Sequence, residues 1–349
     1  MREQRTRRRF LAGVGSLGAV GLAGCVSSQD GGGDDTTDGG TDTTDGGSSG
    51  ADSMTVFHAG SLEPPFGAAE PKFEEKYGVS VSREAKGSVA STKKITEQGR
   101  SADVLGVSDF RLIRDRLLPK HGDWYAIFAT NAMSIQYRED SPGADDISTD
   151  NWWEVLSRDD VTVGHSDPAI DPGGYRAVMT MQLGTEEFDG SRLYDESTYR
   201  KLRDNSTVPT GTETNLEGQL EAGALDYAFY YQSISTSTDL PYVELQPEVD
   251  LSRATERYAK HYAKAKVTTD GETFTGAPIA YGVTVPGNAE APDLGAKWVE
   301  YMITEPGRKI LKSKGLQPVE PAVTAATDAV PERVANHAKE KSSLGPMKV

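Results

Sequence analysis

The chain carries one cysteine, Cys25, among its 349 residues, so it forms no internal disulfide and its fold rests on its core. Its five histidines, at 58, 121, 165, 261 and 337, are scattered without HxxxH or CxxC spacing, which argues against a structural zinc site. Basic residues are outnumbered, 37 Lys+Arg against 53 Asp+Glu, and a net charge of −16 argues against a nucleic-acid partner. There is no P-loop and no GxSxG elbow. Ser91-Thr92-Lys93-Lys94 fits the SxxK pattern of serine acylases, but the SDN and KTG elements that complete that machinery are missing. No internal repeat is visible.

What is present begins with an address. Residues 6–25 run from Thr6-Arg7-Arg8-Arg9 through an apolar stretch to small residues before Cys25. This is the order of an export signal, and Arg7-Arg8-Arg9-Phe10-Leu11 resembles the twin-arginine type. Residues 10–23 are too few and too glycine-rich to span a bilayer, which takes about 20 apolar residues. Cys25 stands where lipoprotein signals are cut and lipidated, so the expectation is a protein anchored to the outer face of the cell membrane by that residue. Gly13-Val14-Gly15-Ser16-Leu17-Gly18 spells a dinucleotide fingerprint but precedes no strand–helix unit. Residues 26–53 are almost all Asp, Thr, Gly, Ser, Gln and Ala and cannot bury apolar surface, so they are predicted to form a disordered linker. Acid spread along the whole chain matches the solvated surface of a halophile.

Roughly 296 residues follow the linker, enough for two domains or one with two lobes. Short β runs alternate with amphipathic stretches, which predicts an α/β fold. Strands are expected at 54–58, 79–83, 102–107, 161–164 and 226–230. Helices are expected at 63–77, 88–99, 173–183, 213–222, 292–303 and 305–314. Residues 124–128 and 133–137 read as one long strand run crossing between lobes, and 279–285 as the return crossing. Asp145-Asp146 and Asp159-Asp160 fall in polar loops and read as solvated surface. Asn205-Ser206-Thr207 fits a glycosylation sequon.

Three strand–helix junctions share one design: Ala59-Gly60-Ser61-Leu62, Lys86-Gly87-Ser88-Val89 and Asp171-Pro172-Gly173-Gly174-Tyr175. Glycine lets the backbone approach a ligand, and serine adds a hydroxyl beside the unpaired N–H groups of a first helical turn. Each helix start carries about half a positive charge and is a ready anion seat, although any one serine there also serves as an ordinary cap. Three such junctions at the carboxyl ends of expected strands point to ligand binding at that edge.

At these residues the chain resembles the substrate-binding proteins of archaeal tungstate/molybdate ABC transporters. The matching stretches include Ala59–Leu62, Arg83–Ala90, Lys94–Glu97, Ala102–Val104, Ala129–Asn131, Asp171–Arg176, Asp226–Phe229 and Tyr281–Pro286, in the family's order. The resemblance implies a two-lobed type II periplasmic-binding fold with two hinge crossings and a ligand cleft between lobes. The lobes are expected at 54–132 with 285–335, and at 133–284, followed by a tail at 336–349. It further implies a tungstate or molybdate ligand, no cofactor, no enzymatic activity, a monomer, and partners in an ABC permease and its ATPase. Ligand contacts carried over are Gly60, Ser61, Gly87 and Ser88 from the first lobe and Asp171, Pro172 and Gly173 from the second.

One departure stands out. The family often places a glutamate after the Tyr-Ala-Phe run, where it joins an aspartate in reaching the metal; here that position is Tyr230. A phenol is a neutral hydroxyl at neutral pH, so Tyr230 is expected to bond an oxygen of a tetrahedral dianion. Asp171 keeps three roles open: a direct bond to the metal, a cap on the following helix, or acceptance of a proton from a protonated oxyanion. Sulfate or phosphate is therefore the alternative cargo. A third reading is an extracytoplasmic hydrolase using Asp171 with His58 or His165.

Overall fold

The computed structural model describes residues 51–209 and 215–349. The predicted signal, Cys25 and nearly all of the linker lie outside the described residues, as does the start of the helix expected over 213–222. Among the described residues no helix is long and apolar enough to cross a membrane.

Two mixed sheets organise residues 51–349. The larger has seven strands in the order Ala338–Glu340, Gln317–Thr324, Ala126–Thr130, Ala280–Thr284, Val104–Val107, Ser53–Ala59, Ser80–Lys86. The smaller has five: Ser206–Thr207, Val163–Gly164, Tyr227–Tyr231, Met133–Tyr137, Tyr242–Glu244. Each sheet is the frame of one lobe.

Ser53–Ala59 pairs in parallel with both Ser80–Lys86 and Val104–Val107. Parallel neighbours need a crossover, and the helices Glu63–Tyr77 and Ser88–Thr96 supply it. Pro64 and Pro65 start the first helix, where a missing N–H costs nothing, and Gly78 ends it at φ +67°, a left-handed conformation that glycine adopts freely. This winding brings the Gly60–Leu62 turn, the Gly87–Ser88 junction and the Ser108–Asp109 loop to one edge of the sheet.

The core of the larger lobe is aromatic. Trp298 meets Phe66 and Phe73 edge-on, with ring centroids 5.4 and 5.1 Å apart, and all three are buried. In the smaller lobe Trp152 packs edge-on against Tyr194 and Phe229. Trp153 stays half-buried beside it, and the paired carboxylates Asp145-Asp146 and Asp159-Asp160 are exposed.

Three expectations need correction. Residues 124–137 are not one strand run, because the chain changes sheets at Asn131–Ala132. There the Asn131 side-chain oxygen, 2.9 Å away, accepts the Ala132 N–H that a continuing ladder would have bonded. Residues 280–284 are not a crossing: this strand is bonded on both sides within the larger sheet, which moves the lobe boundary ahead of it. Its apolar run suits a buried strand in either lobe, so pairing alone decides. Residues 336–349 are no free tail. Ala338–Glu340 pairs in parallel with Gln317–Thr324, and the hairpin Ser343–Leu344/Met347–Lys348 buries Met347 in a cluster with Phe110 and Tyr125. Strands this short carry too little period to be read from sequence.

Candidate functional site

Ser61 lies in the turn Gly60–Leu62 that leads into Glu63–Tyr77, and it is fully buried. Its Oγ accepts the Tyr281 hydroxyl at 2.9 Å, and that hydroxyl accepts an Asn131 amide N–H at 2.9 Å. Ser88 opens the helix Ser88–Thr96 and is also fully buried. Its Oγ accepts the Ser108 backbone N–H at 3.0 Å and lies 3.1 Å from the Ser108 Oγ.

Gly87 faces the other lobe. A Cβ at this position would fall 2.3 Å from the Ile170 carbonyl oxygen and 3.0 Å from the Asp171 Cβ, so only glycine permits the approach. The Ala90 N–H, in the same first turn, donates to the Ile170 carbonyl at 3.2 Å. Two helix starts from opposite lobes thus meet at the Gly87–Asp171 contact.

Asp171 is buried and caps the helix Pro172–Leu183, its Oδ1 accepting the Gly173 N–H at 2.9 Å. Of the three roles open to it, the structure shows the cap. Pro172 follows as the first helical residue. Tyr230 lies in the strand Tyr227–Tyr231 and is buried. It shares with Gly60, Glu63, Pro64, Glu217 and Lys314 the lining of a cavity of about 260 Å³.

Sequence reasoning gave no role to the residues that join these loops. Tyr231 donates to the Ser108 Oγ at 3.2 Å and accepts from Arg176 Nη1 at 2.6 Å, and its ring lies 6.1 Å from that of Tyr281. Ser61 and Ser88 therefore sit at the outer ends of a buried hydroxyl network centred on Tyr231 and Tyr281. Asn131, Arg176 and Tyr281 fall within stretches that carry the family resemblance, and Ser108 follows a strand's carboxyl end, so a signal existed. What sequence could not supply was their partners.

Asp109 carries the strongest electrostatics. It is buried, accepts Arg111 Nη2 at 2.6 Å and the Tyr175 hydroxyl at 2.7 Å, and lies 3.4 Å from Arg176 Nη2. Burial pushes its carboxyl pKa up, but the charge and hydrogen bonds of Arg111, with Arg176 behind, outweigh burial and hold it well below the usual range. Both histidines invoked for a hydrolase are buried next to backbone. His58 Nδ1–H donates to the Ala59 carbonyl and His165 Nδ1–H to the Ser166 carbonyl, each at 2.8 Å. Burial lowers both pKa values, that of His58 to about 4, so these rings are neutral at neutral pH. Asn205 spends its amide hydrogens on the Leu156 and Arg158 carbonyls at 2.8 and 2.7 Å, which a glycan at that nitrogen would disrupt. Among the described residues no group of three or more His, Cys, Asp or Glu side chains converges to hold a metal ion.

The site thus presents neutral hydroxyls and helix N-termini from two lobes, a chemistry suited to an anion whose charge is met by dipoles. The model of the bacterial extracellular solute-binding proteins matches residues 54–317. A solute-binding protein of Petrotoga mobilis is 37% identical over 295 residues, covering 82% of this chain and 90% of its own. The molybdate/tungstate-binding protein WtpA of Pyrococcus abyssi is 34% identical over 307 residues, covering 80% of this chain and 88% of its own. Among solved structures, the periplasmic molybdate-binding protein of Azotobacter vinelandii aligns over 75% of this chain and 98% of its own, with a TM-score of 0.55 and 14% identity. The sulfate-binding protein SubI of Mycobacterium tuberculosis aligns over 81% and 89%, with a TM-score of 0.56 and 16% identity. These two structures share the two-lobed α/β fold. By sequence, this chain belongs to the family of extracellular solute-binding proteins.

Proposed function

We propose that the protein is the extracytoplasmic receptor of an ABC importer that captures molybdate or tungstate between its lobes and delivers it to a membrane permease and its ATPase. The observation that carries this reading is the contact of Gly87 with Ile170 and Asp171, which draws anion-seating helix starts of both lobes together. The relatives named for molybdate and tungstate binding support the choice of cargo. In this reading Gly60, Ser61, Gly87 and Ser88 face the anion from the first lobe, and Asp171, Pro172, Gly173 and Tyr230 from the second. Asp171 builds its seat as a cap, and the ion stays tetrahedral, with Tyr230 donating to one oxygen.

Calorimetric titration with tungstate, molybdate, sulfate and phosphate tests the cargo. Tungstate or molybdate is expected to bind well below 10 µM; affinity for both weaker than about that value, where each tenfold is ~1.4 kcal/mol, overturns the reading. Strong sulfate competition at equal concentration would transfer the assignment to sulfate.

Cys25 is read as the lipid anchor. Cys25→Ser is expected to shift the protein from the membrane fraction to the medium, and retention of the variant on membranes would remove the anchor. The receptor is expected to run as a monomer on light scattering.

A further inference from the structure

We propose that the hairpin Lys266–Thr269/Glu272–Thr275 is a latch across the two lobes, that Phe274 is the residue engaging both, and that the latch sets how long a captured anion is held. The inference rests on the reading of the protein as a receptor that closes about its ligand.

The hairpin branches from the chain where it passes from Tyr242–Glu244 of the smaller sheet to Ala280–Thr284 of the larger. Residues 252–278 form an excursion there, closed at its root by the Ile279 N–H, which donates to the Leu251 carbonyl at 2.8 Å. The two strands pair with each other and join neither of the mixed sheets. Asp270 and Gly271 both take positive φ, +49° and +78°, which suits the two-residue turn of a tight hairpin. Val267 and Phe274 stand opposite each other on the inner face, whereas Thr268 and Thr273 oppose each other on the outer face and are exposed. A two-stranded hairpin is marginally stable by itself in water, so its order depends on what it is pressed against.

Both lobes hold it. In the lobe of the smaller sheet, the Gln182 side chain accepts the Lys266 N–H and donates to the Lys266 carbonyl, each at 3.0 Å. From the same helix, Pro172–Leu183, the Tyr175 ring stacks on Phe274 with centroids 4.3 Å apart and planes 12° from parallel. In the lobe of the larger sheet, Arg111 Nη1 donates to the Thr275 carbonyl at 2.8 Å. The Arg116 guanidinium lies 5.3 Å from the Phe274 ring centroid and also pairs with Glu272. Phe274 thus meets an aromatic ring of one lobe and a cation of the other.

The Tyr175 hydroxyl crosses between the lobes to Asp109, at 2.7 Å. Phe274 covers the ring that carries this hydroxyl, and losing that cover admits water beside a bond that is stronger where water is excluded. These contacts form only after the lobes have met, so they act on release of the anion and not on its capture.

Stopped-flow exchange of tungstate, or of sulfate should that ion bind more tightly, reads the two rates. Phe274→Ala loses a stacked pair and a cation–π contact and is expected to speed release about tenfold, with capture changed less than about twofold. Phe274→Tyr keeps the stacking face and is expected to release the anion like wild type. Arg116→Ala is expected to speed release severalfold in wild type and by less in Phe274→Ala, because the two residues share one contact. A hairpin that is only structural would lower the urea midpoint of Phe274→Ala and leave its release rate at the wild-type value, and that result overturns the latch.

A second readout needs no ligand. Spin labels at Glu75→Cys and Arg200→Cys, exposed positions on a helix of each lobe, report the distance between lobes in a Cys25→Ser background. Phe274→Ala is expected to lengthen its mean. Should tungstate, molybdate, sulfate and phosphate all fail to bind, the receptor reading falls and this distance alone decides the latch, an unchanged mean overturning it.

Discussion

The Arg176 guanidinium, on the helix Pro172–Leu183, lies 3.4 Å from the Asp109 carboxylate, which follows a strand of the other sheet, and both side chains are almost fully buried. The pair ties the lobes together beside the proposed ligand loops. Arg111 and the Tyr175 hydroxyl complete the shell around Asp109, so its buried charge is fully met.

Removing one partner leaves the other buried and uncompensated. Asp109→Ala is expected to destabilise the protein by about 3–5 kcal/mol, read from urea unfolding. A loss below about 1 kcal/mol would mean the pair is solvated in solution. The pH dependence follows from the lowered pKa of Asp109. A depressed folded value adds stability that is present above the unfolded value, near 3.9, and is lost as pH falls toward the folded one. Wild type should therefore lose stability on acidification below about pH 4, and the Asp109→Ala variant should lose less there.

Gly87→Ala is a test of closure. Its Cβ would sit 2.3 Å from the Ile170 carbonyl oxygen, a backbone atom that cannot turn aside. The lobes must then stay apart, and oxyanion affinity is expected to drop by more than about tenfold, or ~1.4 kcal/mol. Small-angle scattering should show a larger radius of gyration with saturating molybdate than for wild type. Full affinity in this variant would show that the contact is not needed for binding.

Ser61→Ala and Ser88→Ala should each remove one hydrogen bond to a charged ligand, about 1.5–3 kcal/mol of binding by calorimetry. Wild-type affinity in both variants would take these loops out of the site.

Asp250 sits beside the first crossing, its carbonyl accepting the Met133 N–H at 2.8 Å. Burial raises its carboxyl to a pKa of about 6, against the opposing hydrogen bonds from Ser252 and Tyr262. A raised folded pKa means stability that is fully present below the unfolded value and is lost as pH rises through about 6. Asp250→Asn, which has no charge to bury, should flatten the fall in urea midpoint between about pH 4 and pH 7. An identical slope in variant and wild type would show that the carboxyl is hydrated.

Much of the candidate site's local geometry was legible because its signals are local. Gly60-Ser61, Gly87-Ser88 and Asp171-Pro172-Gly173 each combine a tight approach with a helix start, and such features are written in consecutive residues. The α/β character was legible for the same reason, since the hydrophobic period changes from strand to helix within short windows. Asp171 as a cap was one of its three readings, and its bond to Gly173 shows that role.

The amino-acid sequence by itself determined the alternation of strand and helix, the three glycine-bearing strand–helix junctions, the excess of acid and the absence of an internal disulfide. Only the tertiary structure decided the two sheets, the switch at Asn131–Ala132, the placement of 280–284 in the larger sheet and the docking of the C-terminal strands. It also decided which hydroxyls serve which serine. Asn131 reaches Tyr281 across 150 residues, and Tyr281 reaches Ser61 across 220. A strand's period and a helix's cap are set by neighbours a few residues away, whereas a buried hydrogen bond takes whichever partner the packed chain brings within 3 Å, and that choice belongs to the whole fold.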